Sequence, residues 1–397
     1  MALVITGGLL LVVASCGSDN QAGSSPASAP VTTAGAATTA APAATDGPAA
    51  TDAPGGSPAA TAAAKLEEFT AVPTDIGVSE KLTTVPTGKT IYFMQCSAPV
   101  CAGMGDAVTE AAGLLGMEVT RVDLGATPDT VTQGWNRAVQ DRPDAIIGTG
   151  FPPELYSEQI ATLSGDGVPY MAVGFSNCDT IRDPCTGTAS GITVNYFGRP
   201  DVEILGGLMA DFVISDSGAA ANSVFFHIPD FNLHAPELAA YQDELASVCP
   251  DCTVADVPAQ VLDIGTQIPQ AVVGYVQAHP ETNYVVMAFG DMAIGVPEAL
   301  AAAGLDGKVK IVAMASGAAG FNYMKAGMGQ VVDFGYPNGF AGWLSVDAIA
   351  RVLGGQQPSA NPLPRQMIEP NDLTFDVNGD WPGVADFKDQ FKTLWGV

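Results

Sequence analysis

From Lys89 onward, short apolar runs alternate with segments of helical spacing. KTIYFMQC (89–96) is apolar throughout, as expected of a strand buried on both faces. A helical segment (102–116), the strand MEVTRVDL (117–124) and a helix over 127–140 follow. That helix opens on Thr127-Pro128-Asp129, a good start signal. DAIIGTG (144–150), a helix over 153–163 and PYMAVG (169–174) complete a first series. A Cys-containing loop (175–190) interrupts the rhythm, and GITVNYF (191–197) leads into a helix over 200–215. A second series begins at SVFFHIP (223–229). It has further strands at 253–260, 283–290, 309–316 and 330–336, with helices at 235–247, 266–279, 292–303, 318–326 and 338–353. The tail is expected to be extended over 365–375 and helical over 383–395. Strands and helices alternating at this spacing predict an α/β fold with parallel sheets covered on both faces.

Residues 1–64 break this pattern. An apolar run (2–15), too short to span a bilayer, ends in Val13-Ala14-Ser15-Cys16. It resembles the lipobox of bacterial lipoproteins, which implies a signal peptide over 1–16 and a lipidated Cys16. Residues 17–64 are Ala, Thr, Pro, Ser and Gly with few charges, a composition that cannot offset the entropy of ordering. They are expected to form a disordered tether reaching roughly 40 Å.

Charge and cysteines narrow the choice of partners. With 42 acidic residues against 15 basic ones, the net charge of −27 repels phosphate backbones and anionic lipid heads. No nucleic acid is expected, and membrane contact only through the lipid. Apart from Cys16, six cysteines fall into three close pairs: Cys96 with Cys101, Cys178 with Cys185, and Cys249 with Cys252. Such pairs suit disulfides in an oxidising compartment, with free structural thiols as the alternative.

Three stretches carry a family resemblance: AHPETNYVVMAFGDMAIGVPEALAAAGLDGKVKIVAMASG (278–317), GITVNYFGRPDVEILGGLMADF (191–212) and GQVVDFGYPNGFAGWLSVDAIARVLGG (329–355). They resemble the type I periplasmic binding proteins of the ribose and galactose kind, over about residues 87–375. The resemblance implies two Rossmann-like lobes joined by a three-segment hinge. One lobe would comprise 87–197 with 337–362, the other 198–336 with 363–397. It also implies a small-molecule ligand, a sugar or polyol by default, delivered to the permease of an ABC importer by a monomer without cofactor or metal.

In open α/β sheets ligands sit beyond the carboxyl ends of the strands. In the first lobe that points to Gln95 and Ser97, Phe151 and Glu154, then Phe175 and Ser176, with Asn195 at the first crossing. In the second lobe it points to Asp230, Phe231 and Asn232, Asp263, Asp291 and Ser316, with Tyr336 and Asn338 at the second crossing. Asp291 equally suits the cap of the helix beginning at Met292, and each aromatic equally suits the core. At three positions where sugar binders of the family carry polar clamps, this chain has Gly290, Ala315 and Gly335. A larger, less polar or differently oriented solute would suit those glycines.

Enzymatic readings find little. Cys249-Pro250-Asp251-Cys252 has redox spacing but lies after a helix, where no helix N-terminus lowers a thiol pKa. His227, His234 and His279 lack metal-ligand spacing, and no nucleophile elbow, phosphate loop or zinc-protease motif occurs. Asp376, Asn378 and Asp380 mimic the start of a calcium loop, but Trp381 stands where its glycine belongs. The expectation is a binding protein, not an enzyme. Its alternatives are a tethered ligand sensor for a membrane receptor and a receptor for a less polar, non-sugar ligand.

Overall fold

The computed structural model describes residues 56–174, 178, 185–359 and 363–397. Cys16 and the expected signal peptide, most of the expected tether, and Phe175 and Ser176 lie outside them.

The first sheet is built from β1 (Thr90–Gln95), β2 (Glu118–Asp123), β3 (Ala145–Thr149), β4 (Tyr170–Val173) and β5 (Val194–Asn195), in the order β2-β1-β3-β4-β5. All its pairings are parallel. Three helices belong to the connections: α2 (Pro99–Leu114), α3 (Pro128–Asp141) and α4 (Ser157–Gly165), α1 being the N-terminal helix Pro58–Leu66. Helix α2 begins three residues before its expected start, because Pro99 at its first turn gives up no backbone bond. Helix α3 opens as expected, with the Thr127 side chain accepting from Thr130 N at 3.3 Å.

After α5 (Arg199–Asp216) the second sheet collects β6 (Asn222–His227), β7 (Thr253–Pro258), β8 (Tyr284–Met287), β9 (Lys310–Met314) and β10 (Gln330–Gly335). Its helices are α6 (His234–Val248), α7 (Gln267–Ala278), α8 (Val296–Ala302) and α9 (Ala318–Ala326). Helix α10 (Asn338–Leu353) then packs on α2 of the first lobe, and β11 (Gln366–Ile368) returns to pair antiparallel with β10. The order is β11-β10-β9-β8-β6-β7. The helix expected over 292–303 is divided: a 3-10 turn (Gly290–Ala293) precedes α8, with Gly295 at φ +78° between them.

Two segments depart from the expected lobe boundaries. Helix α1 falls inside the stretch expected to be unstructured to residue 64. Ser57 caps it, Ala62 and Leu66 are buried, and Lys65 pairs with Asp211 and Glu244 on α5 and α6. It therefore docks on the second lobe, while the following residues run along the first: Ile76 N donates to Gln390 Oε1 at 3.2 Å and Leu82 N to Leu394 O at 3.0 Å. The last helix, α11 (Phe387–Trp395), was expected in the second lobe and instead packs on α10 of the first. Phe387, Phe391 and Trp395 form one stripe against Phe340 and Trp343, with the Trp343 and Trp395 rings stacked at 5.2 Å. Beneath them a buried hub ties the pieces together. Arg351 donates to Asp347 at 2.6 Å and to Glu80 O at 2.6 Å, and Trp395 Nε1–H to Asp347 at 2.8 Å. Burying such charges is tolerable only because each is paired.

All three close cysteine pairs are disulfides. Cys249–Cys252 closes the turn between α6 and β7 and so has a structural place.

Candidate functional site

The carboxyl ends of both sheets face a common cavity of about 120 Å³. From the first lobe it receives the Cys96–Cys101 disulfide, Ala98, Val100 and Met104 after β1, Thr149 and Gly150 at the end of β3, and Val173 and Gly174 at the end of β4. From the second it receives Phe231, Leu233 and His234 after β6, Phe289 after β8, and Met314 and Ala315 at the end of β9. Phe197 stands at the first crossing, and Tyr336 and Asn338 at the second.

The two walls differ in shape. Gly150 and Gly174 hold φ +80° and +102°, a left-handed backbone that favours glycine. Side chains of the second lobe reach this bare backbone: a Cβ at Gly150 would lie 3.5 Å from the Phe231 ring, and one at Gly174 3.8 Å from Leu233. The lobes also touch directly. The Phe151 and Phe231 rings meet edge-on at 5.9 Å, and Phe197 and Tyr336 at 4.4 Å. Val100 N, in the first turn of α2, donates to Asp291 Oδ2 at 2.8 Å. Asp291 thus caps a helix of the opposite lobe rather than the one expected to begin at Met292, where a 3-10 turn stands instead. The arrangement is that of lobes closed on each other.

The polar groups at the cavity are few and uncharged. His234 Nδ1 accepts from Ile228 N at 2.9 Å, which leaves the ring proton on Nε2. Burial, with His227 adding to it, pushes the His234 pKa down to about 3, so the ring stays neutral. The Tyr336 hydroxyl is buried with no hydrogen-bond partner among the described residues, and burial drives its pKa well up. Thr149 donates to Met94 O at 3.2 Å, and Asn338 Nδ2 lies 3.4 Å from both Tyr336 O and Asp380 Oδ1. Among the described residues, no charged side chain lines the cavity.

Phe231, Tyr336 and Asn338 therefore meet at the cavity, with Phe151 and Asp291 against its edge. The other expected positions do not line it. Gln95 accepts from Arg121 at 2.8 Å, and Ser97, Glu154 and Asp230 are exposed, Glu154 accepting from Thr188 at 2.9 Å. Asn195 is buried and donates to Cys178 O at 2.7 Å, beside the Cys178–Cys185 disulfide. Asn232 is half-buried beside Phe231, and Asp263 accepts from Gln260 N in a turn beyond β7. Ser316 is buried under the turn at Gly290, where its hydroxyl accepts from Gln330 at 2.9 Å. Phe175 lies outside the described residues.

The glycines expected to make room for a solute do not. A Cβ on Gly290 would run into Ser316, and one on Gly335 would lie 2.6 Å from the Trp381 ring. Protein fills both spaces. Of Asp376, Asn378 and Asp380, the first accepts from Asn378 N at 3.0 Å, while Asp380 turns away to accept from Gly339 N at 2.7 Å. Sequence reasoning missed His234, Phe289, Phe197 and Thr149. Phe289 had a signal, since it lies near the carboxyl end of the strand expected over 283–290, two residues before Asp291.

No curated protein sequence matches the chain. Among solved structures it is similar to the Caulobacter myo-inositol binding protein bound to myo-inositol, at 20% identity and a TM-score of 0.63, over 73% of this chain and 96% of that one. It is similar to the 5-methylthioribose transporter solute binding protein of Thermotoga lettingae, at 17% identity and a TM-score of 0.64, over 79% and 95%. A periplasmic ribose ABC transporter protein of Conexibacter woesei matches at 16% identity and a TM-score of 0.58, over 72% and 94%. The model of the periplasmic binding protein domain matches residues 83–357, so the chain belongs to that family.

Proposed function

We propose that this protein is an extracytoplasmic receptor that closes its two lobes over a small cyclic solute and presents it to the permease of an ABC importer. Lipidation of Cys16 would hold it at the membrane, and the residues up to α1 would serve as the tether. No helix among the described residues is long and apolar enough to cross a membrane. The observation that carries the reading is the cavity between the sheet ends, closed over by contacts from both lobes such as Val100 to Asp291. Hinged lobes that shut on a solute make occupancy visible to a partner as a change of shape. The solutes named for the structural neighbours, myo-inositol and 5-methylthioribose, support a ring of modest size.

The test has two arms. Small-angle scattering of the protein, stripped of bound solute by mild denaturation and refolding, should show compaction when a cell extract's small-molecule fraction is restored. Mass spectrometry of the recovered solute should then identify it. Fatty-acid labelling in a bacterial host should mark the wild type and not Cys16→Ala. Lobes that stay at one separation whatever is added would overturn the receptor reading.

A further inference from the structure

We infer that the solute is a neutral, single-ring molecule with few hydrogen-bonding groups, one of them an acceptor near His234 and Tyr336. This rests on the receptor reading above and narrows it to a solute class.

Size comes first. The cavity is about 120 Å³, and an apolar protein cavity of about 150 Å³ takes up benzene. One six-membered ring fills the space. Charge comes second. Among the described residues nothing charged lines the cavity, and an ion brought there would lose its hydration without gaining a partner. Hydrogen bonding comes third. Sugar hydroxyls each need a directed partner once buried, and a site that leaves them unpaired binds them poorly. Here most polar groups are already engaged. Thr149 donates to Met94 O, and His234 Nδ1 accepts from Ile228 N. Among the described lining side chains, what remains is the Nε2–H of a neutral histidine, the buried Tyr336 hydroxyl, which has no partner among the described residues, and the amide of Asn338, whose two contacts are 3.4 Å long. His234 and Tyr336 can both donate, so they suit one or two acceptor atoms of the solute. The rest of the ring would meet Phe231, Phe289, Met104 and Met314, which offer only apolar surface and ring faces.

A series with the ring held at six carbons tests this on the full chain: myo-inositol, cyclohexanol, phenol and benzoate, by calorimetry and by scattering for lobe closure. Cyclohexanol or phenol should bind at least tenfold more tightly than myo-inositol, and benzoate should bind no better than myo-inositol. Tyr336→Phe should weaken phenol severalfold and leave benzene binding within twofold of wild type, a split that a merely misfolded variant would not give. Myo-inositol binding as well as or better than cyclohexanol, with closure of the lobes, overturns the solute class and leaves the receptor reading standing. Failure of every neutral ring to bind overturns the inference too. If a solute recovered from cells still closes the lobes, the receptor reading survives that failure. If nothing closes them, both fall.

Discussion

The two lobes meet the cavity in opposite ways. The first offers a socket: exposed backbone at Gly150 and Gly174, and the Cys96–Cys101 disulfide stiffening the entry to α2. The second offers knobs, with Phe231, Leu233 and Phe289 standing out from the ends of β6 and β8. Among the described residues, Phe231, His234 and Phe289 of the second lobe contact one another ring to ring, so the knobs brace one another. The difference teaches where closure gains its specificity. A socket of bare backbone accepts whatever fits its depth, whereas the knobs decide which solute can lie between them. It also shows that Gly290 and Gly335, whose spaces Ser316 and Trp381 fill, do not widen a sugar site.

Removing a knob is the most damaging way to break this division. Phe231 touches Phe151 across the cleft and Phe289 and His234 on its own side. Truncating a buried Phe commonly costs about 3–5 kcal/mol, so Phe231→Ala should lower the urea midpoint and weaken solute binding by a hundredfold or more. A variant that binds as wild type would mean that the socket alone selects. Loosening the socket should cost less. Replacing Cys96 and Cys101 together by Ser opens a short loop worth roughly 2 kcal/mol of chain entropy. The same exchange at Cys249 and Cys252 should lower stability to a similar or lesser extent. Only the first exchange should also weaken solute binding, because only that disulfide walls the cavity. Equal losses of affinity for the two double variants, measured by titration, would remove the socket's special place.

What could be read from the chain follows the same division between pattern and partner. The apolar periodicity of 338–353 marks α10 to the residue, because a helix buried nearly all round has no ambiguous edge. The stripe Phe387, Phe391 and Trp395 announces a buried face, yet spacing alone cannot say which lobe covers it, and α11 sits on the first lobe rather than the second. Helix α1 hides in a low-complexity stretch whose only signals were Ser57 and Pro58 at its start. At the site, strand ends located the cavity, but the search there favoured polar residues. Gln95, Glu154 and Asp263 satisfy local bonds within their own lobes. The actual walls, such as Val173, Phe289 and Met314, look like ordinary core until the second lobe is laid over them. Asp291 shows the limit most clearly. It reads as the cap of the helix that follows it, but the helix it caps lies nearly two hundred residues earlier in the other lobe, at Val100.

That contact gives the mildest and most specific test of how the lobes meet. Asp291 is buried, and burial raises its pKa to about 6, against the opposing pull of the Val100 N–H. No other charged group contributes to the shift. If opening the cleft returns the carboxyl to water, its pKa should fall back toward the ordinary value of 3.8. A group whose pKa rises on closure favours the closed form when protonated. That contribution is complete below about pH 4 and is lost as the pH climbs through about 6. Binding of a neutral solute should therefore weaken on the order of tenfold between pH 4.5 and 7, since one pKa unit is worth a factor of ten. Asp291→Asn keeps an acceptor for Val100 N and removes the titration. It should flatten the profile while leaving affinity at the low end within about threefold of wild type. Asp291→Ala should be equally flat but weaker at every pH by about 1 kcal/mol, the usual net worth of one hydrogen bond. A wild-type profile that is already flat, or an Asn variant that keeps the full slope, would assign the pH response to another carboxyl. Asp380 is the next to examine, since burial lifts it to about 7 beside the Asn338 crossing.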